Sequence, residues 1–155
     1  MPTPDFVLDL RRRVGHDLLW MPGVTAVIRR DDQVLLVRRS DNGRWTPVTG
    51  IVDPGEEPAV AARREALEEA CVEVRVDRLA STGATAPMTY PNGDRSVYLD
   101  LTFACTWVSG EAAVGDEEST EVGWFDRDAL PSMSEEMLAR IDAAWSSEER
   151  ARFRR

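Results

Sequence analysis

The sequence predicts a mixed α/β domain, and three observations carry that expectation. Residues 96–108 alternate at period two, with Val97, Leu99, Leu101, Phe103, Cys105 and Trp107 on one face, as in a strand. The segment from Pro58 to about Cys71 keeps a helical pattern behind a proline at its first position. Read in order after a short N-terminal helix, the elements run β-β-β-α-β-β-β-α, which is neither an all-β nor a helical-bundle order.

Each element has its own reason. Phe6, Val7, Leu10 and Val14 recur at helical spacing, and Gly15 closes that helix. Residues 23–30 and 33–39 read as strands joined by a tight turn at Asp31-Asp32. Val34 to Val37 is apolar on both faces, which suits a central strand. Residues 40–44 form a polar loop, residues 45–52 a short apolar strand, and Asp53-Pro54-Gly55 a turn. After the helix from Pro58, residues 73–80 alternate as a strand. Residues 87–94 form a loop with a hairpin-type turn at Asn92-Gly93, and residues 122–125 a further short strand. Ser132 and Glu135 form a capping-box pattern before a helix with Met137, Leu138, Ile141, Ala144 and Trp145 on one side. The expected organisation is one domain over 1–155, with a helical extension at 1–22, a core at 23–132 and a C-terminal helix and tail at 133–155.

Composition narrows the chemistry. All 19 basic residues are arginine, against 28 acids, for a net charge of −9. Without lysine there is no Schiff-base lysine and no Walker-type phosphate loop. One histidine, His16, excludes a zinc site built on two or three imidazoles. The acidic balance argues against broad binding to nucleic-acid polymers or anionic membranes. Two distant cysteines, Cys71 and Cys105, and the absence of a signal or spanning segment place the expectation in a reducing cytoplasm.

The chemistry concentrates in residues 50–72, GIVDPGEEPAVAARREALEEACV. Glu65, Glu68 and Glu69 fall on one helical face within a turn, and their mutual repulsion suits a hard divalent cation such as magnesium or manganese. Arg64 and Glu68 make an i,i+4 pair that orients the carboxylate. Glu56 sits just before the helix start, where the helix dipole favours an acid. Gly50 and Gly55 flank a loop able to fold back on the helix, so that a backbone carbonyl can approach the cation.

This segment resembles the Nudix box: glycine, five residues, glutamate, seven residues, Arg-Glu, an aliphatic, any residue, Glu-Glu, any residue, glycine, an aliphatic. Gly50, Glu56, Arg64, Glu65, Glu68, Glu69 and Val72 match it in register. Cys71 replaces the box glycine, so either this residue bears a left-handed conformation or the helix ends differently. Ala66 is small for its aliphatic position. Arg38-Arg39, Trp45 and Pro47 before the box, and residues 121–125 with Leu130-Pro131 after it, extend the likeness over residues 23–131, with Val48-Thr49 in place of the commoner Pro-Gly. The resemblance implies the Nudix fold, an α/β/α sandwich around a mixed β-sheet.

It also implies an activity, the metal-dependent hydrolysis of a pyrophosphate bond in a nucleoside diphosphate linked to another moiety. Nucleotide sugars such as ADP-ribose, dinucleoside polyphosphates and nucleoside triphosphates are the candidate substrates. The Gly50 carbonyl, Glu65, Glu68 and Glu69 would hold Mg2+ or Mn2+, Glu56 would support the shell or bind a further ion, and Arg64 would hold the glutamates. The general base is Glu65 itself in some members and a late-loop acid in others. Of Asp116, Glu117, Glu118 and Glu121, the spacing before Trp124 favours Glu118. Arg39 and Arg44 are candidates for gripping phosphate, and Trp45, Tyr90 or Phe125 for stacking. A nucleotide-binding sensor without catalysis is the alternative, and a homodimer through the N-terminal helix fits family habit.

Overall fold

Two sets of apolar side chains, alternating along the same strands, decide the architecture. In the computed structural model, which describes residues 3–155, helix α1 (Asp5–Val14) leads into strand β1 (Leu18–Arg30). Strands β2 (Gln33–Arg39), β3 (Trp45–Thr46) and β4 (Val48–Ile51) follow, then helix α2 (Pro58–Ala70). Strands β5 (Glu73–Ala84), β6 (Met88–Thr89), β7 (Arg95–Ser109) and β8 (Ser119–Asp126) precede helix α3 (Glu135–Trp145) and strand β9 (Arg152–Phe153). The strands form one mixed sheet in the order β3-β2-β1-β7-β5-β9, with β4 on β1, β6 on β7 and β8 on β2. The β1–β7 and β5–β9 pairs are parallel.

On one face Val24, Ala26, Ile28, Leu35 and Val37 pack under Ala61, Ala62, Ala66 and Ala70 of α2. On the other, Val27, Val34, Leu36 and Ala104 pack under Ile141, Ala143 and Ala144 of α3. This is the expected α/β/α sandwich, and β2 is buried on both faces as its continuous apolar run requires. Ala66, small for the box, is fully buried. The alanine row lets α2 lie close to the sheet, which carries Glu65 and Glu69 into the interior with it.

Three expectations are corrected. The N-terminal helix ends at Val14 with Gly15 as its cap, as expected, but β1 begins at Leu18 and not at Gly23, because residues 18–22 pair with residues 95–99 of β7. A boundary at Gly23 therefore falls inside a strand. The apolar face of β7 is buried only in part, with Leu99 exposed, while Ser96, Asp100 and Thr102 on its other face are buried. Polar residues survive there because α3 supplies a partner: Arg140 reaches Thr25 Oγ1 at 2.8 Å and Asp100 Oδ1 at 3.1 Å. The N-cap of α3 is Ser134, not Ser132, and its side chain accepts from Met137 N–H.

Cys71 resolves the question at the end of α2. It takes the left-handed conformation a glycine would take (φ 57°), its N–H donating to the Ala66 and Leu67 carbonyls. The helix therefore ends as the box requires, and Cys71 bears the strain. Glycine there removes about 1 kcal/mol of strain, offset by roughly 0.5 kcal/mol of extra unfolded-state freedom. Cys71→Gly is expected to raise the midpoint of thermal unfolding slightly. A fall would mean that the Sγ contact beside Gly115 outweighs the strain.

Candidate active site

The site begins with a glycine that has no room for a side chain. Gly50 pairs with Val24 where β4 lies on β1, and a Cβ built on it would stand 2.1 Å from Cδ of Glu65. The Glu65 carboxyl thus rests against the Gly50 backbone, about two turns into α2. Only glycine permits that approach.

Arg64 gathers the neighbouring acids. Its Nε and Nη2 donate to the two oxygens of Glu56 at 2.9 Å each. Its Nη1 donates to Glu65 Oε1 at 2.7 Å and to Glu68 Oε2 at 3.3 Å, and Nη2 also reaches the Ile51 carbonyl at 3.1 Å. One guanidinium therefore ties the loop after Gly50 to the helix, using the planar fork that lysine lacks. Glu56 further accepts from Asp53 N–H, so both its oxygens are committed inside the protein. The Arg64 contact holds its carboxyl below the usual range. As it stands, Glu56 orients Arg64.

Glu65 and Glu69 are 2% and 3% exposed. Burial pushes the Glu65 carboxyl up to about 7 despite Arg64. Burial, then the charges of Glu118, Glu65 and Asp116, pushes Glu69 up to about 9. Among the described residues no three His, Cys, Asp or Glu side chains close on one point tightly enough to hold a metal ion as they stand, Arg64 lying among three of the glutamates. The donors themselves are all hard oxygens crowding their own charge into a buried space, the chemistry a magnesium-class cation meets.

These shifts set a pH dependence. Both folded values lie above the ordinary 4.5 of a glutamate. The protonated forms are favoured in the fold, so this stabilising contribution is full below about pH 4.5 and is lost as pH rises through 7 and then 9. With a chelator present, the unfolding midpoint is expected to fall between pH 5 and 9. A flat or rising profile there would contradict the burial of these two carboxyls. The lowered carboxyls of Asp41, Glu56, Asp77 and Asp94 act below that window.

A cleft of about 670 Å³ opens in front of Gly50 and Glu65, and Arg39, Arg44, Trp45, Tyr90 and Glu118 also line it. The structure thus brings the substrate-side candidates to one cleft, while Glu56, Glu68 and Glu69 lie outside its lining. Arg39 is held by a two-point contact with Asp41, at 2.9 Å for both bonds. The Tyr90 hydroxyl meets that of Tyr98 at 2.8 Å. Trp45 packs edge-on against Phe125 with ring centroids 4.8 Å apart. Phe125 does not line the cleft, so of the two rings only Trp45 presents a surface there. Of the late-loop acids, Glu121 pairs with Arg38, whereas Glu118 lines the cleft. Partial desolvation raises the Glu118 carboxyl. His16 pairs with Asp94 at the surface.

Sequence reasoning missed Asp41, Tyr98 and the Arg140–Asp100 pair at the cleft's edge. A signal existed for the last: Arg140 falls within the apolar stripe of α3, one turn from Met137 and Ala144. A charge at such a position implies a buried partner.

A model of the NUDIX domain matches residues 19–146. The chain belongs to the Nudix hydrolase family. Two relatives bear this out. The chain is 34% identical over 113 residues to a MutT-like protein of Streptomyces ambofaciens, covering 73% of this chain and 68% of that one. It is 32% identical over 114 residues to the NAD-capped RNA hydrolase NudC of Edwardsiella ictaluri, covering 72% of this chain but only 41% of NudC. A MutT NUDIX hydrolase from Burkholderia pseudomallei superposes with a TM-score of 0.64 at 26% identity, over 81% of this chain and 98% of that one. A UDP-X diphosphatase, 21% identical, shares the fold at a TM-score of 0.70 over 96% of this chain and 73% of that one. As a Nudix hydrolase the chain is an enzyme, a pyrophosphohydrolase.

Proposed function

We propose that this Nudix hydrolase cleaves the pyrophosphate bond of a nucleoside diphosphate linked to another group, with magnesium or manganese, as a cytoplasmic enzyme. The observation that supports it best is the Arg64-centred acid cluster set against Gly50 at the mouth of an arginine- and aromatic-lined cleft. Glu65, Glu68, Glu69 and the Gly50 carbonyl would hold the ion. When bound, it neutralises diphosphate oxygens and lowers the pKa of the attacking water.

The chain's own residues do the rest. Arg64 fixes the carboxylates, and Glu56 fixes Arg64. Arg39 and Arg44 grip the phosphates from the cleft wall, with Asp41 presenting Arg39 in a defined orientation. Trp45 and Tyr90 offer ring faces to a base or sugar. Glu118, held above the ordinary carboxylate range, accepts the water's proton.

A panel tests this reading: ADP-ribose, diadenosine polyphosphates, nucleoside triphosphates, NAD and a NAD-capped oligoribonucleotide, with and without magnesium or manganese. Metal-dependent release of a nucleoside monophosphate, or of pyrophosphate from a triphosphate, is expected for at least one. Binding of a nucleotide without turnover of any would favour the sensor reading. A rise in unfolding midpoint with magnesium at pH 8.5 reads the metal site independently of activity.

A further inference from the structure

A second cavity, of about 260 Å³, lies between α3, β5 and β9, and Asp100, Glu136 and Arg140 border both it and the cleft. Its acids are already committed. Asp100 faces Arg140 and accepts from the hydroxyls of Thr25 and Thr102. Glu136 faces Arg140 at 2.5 Å, and Asp142 pairs with Arg127. The opposite wall carries Arg152 and Arg154. Arg152 has only a 3.4 Å contact to the exposed Glu148, and Arg154 has no hydrogen bond or ion pair among the described residues. Ser81, the strand partner of Arg152, adds a hydroxyl on that side, and backbone pairing of Ser81 with Arg152 and of Thr82 with Phe153 pins Arg152 to the sheet edge. In a chain of net charge −9, the uncommitted charge of this cavity is positive.

We propose that this cavity is a phosphate-binding site, in which Arg152 and Arg154 take the phosphate group of a nucleotide or of a phosphodiester. Two guanidiniums and a hydroxyl suit a tetrahedral oxyanion, and Arg recognises phosphate by paired N–H bonds. Phe153, whose ring is 65% accessible with Arg155 over it, also borders the cavity and offers a base-stacking surface. Since only the Arg140 wall separates this cavity from the cleft, one source of the phosphate is the strand that follows a capped 5′ nucleotide seated in the cleft. That source rests on the function proposed above. The other is free phosphate or a free nucleotide.

The double variant Arg152→Ala/Arg154→Ala tests it, since β9 pairs through its backbone. Titration of the full chain with inorganic phosphate, followed by ³¹P NMR, gives binding without any turnover. Comparison of KM for a NAD-capped oligoribonucleotide and for free NAD separates the two sources. We expect the variant to lose phosphate binding roughly tenfold. If the phosphodiester is the ligand, KM for the capped oligoribonucleotide rises by a similar factor while that for NAD holds. If free phosphate is the ligand, only the titration changes. Arg152→Lys/Arg154→Lys restores part of either effect. Unchanged phosphate affinity together with unchanged KM for both substrates overturns the proposal. Absence of turnover in the wild type bears on the proposed function and leaves the titration decisive.

Discussion

Glu68→Gln is expected to lower metal-dependent turnover by roughly two to three orders of magnitude while leaving the fold intact. The two effects separate at this position because of where the side chain sits. Glu68 lies on the outer side of the α2 acid row, its side chain 38% exposed, and its contact to Arg64 is a long one at 3.3 Å. An exposed ion pair of this kind contributes well under about 1 kcal/mol. Glutamine keeps the shape and removes the charge that a divalent ion would meet. The check is kcat for the best substrate of the panel across a magnesium titration, alongside the thermal midpoint. A variant with wild-type turnover at saturating magnesium would remove Glu68 from the metal shell. Partial recovery at high magnesium, with a raised metal requirement, is the signature of a lost ligand. Loss through misfolding would instead lower the midpoint.

Local sequence made most of the fold readable, for a reason visible in particular residues. The alternation of Val24, Ala26 and Ile28 against Val27, and of Leu35 and Val37 against Val34 and Leu36, is the sandwich written at period two. Pro58 marks the start of α2 by backbone preference, whereas Cys71 ends it against its own preference, in the left-handed conformation. What could not be read is what depends on pairing at a distance. Residues 18–22 become strand because β7 lies beside them, not because of their own pattern. Asp100 looks like a solvent-facing residue until Arg140, forty residues on, is brought over it by α3. The extent of β5 past Ala80 and the short β9 are likewise set by their neighbours.

The acid cluster follows the same division. The spacing placed Glu65, Glu68 and Glu69 on one turn, and Arg64 in reach of Glu68. That Arg64 would also take both oxygens of Glu56 and the Ile51 carbonyl depends on the path of the loop from Gly50, which spacing does not determine. Asp41 is a similar case: it stands two residues after Arg39, and only the turn of the polar loop brings it back onto the guanidinium.

Gly50→Ala is the sharpest test of that loop. The added methyl would overlap the Glu65 carboxyl at 2.1 Å, and Cγ of the same side chain at 2.3 Å. Gly50 cannot retreat, because Gly23, Val24, Thr25 and Ala26 hold β4 in register on β1. Glu65 must therefore swing away, giving up its 2.7 Å bond to Arg64 inside a buried space. Overpacking of this kind costs about 1–3 kcal/mol. Activity should fall by at least about a hundredfold, because the displaced carboxylate belongs to the acid cluster. A double-mutant cycle separates this account from a general intolerance of alanine in β4. In a Glu65→Ala background the space beside residue 50 is open, so adding Gly50→Ala should cost little further stability. The coupling between the two positions, read from denaturant midpoints of the four proteins, should be about 1–2 kcal/mol. Additive costs would mean that Gly50 is required by its own strand geometry, and that its contact with Glu65 is incidental.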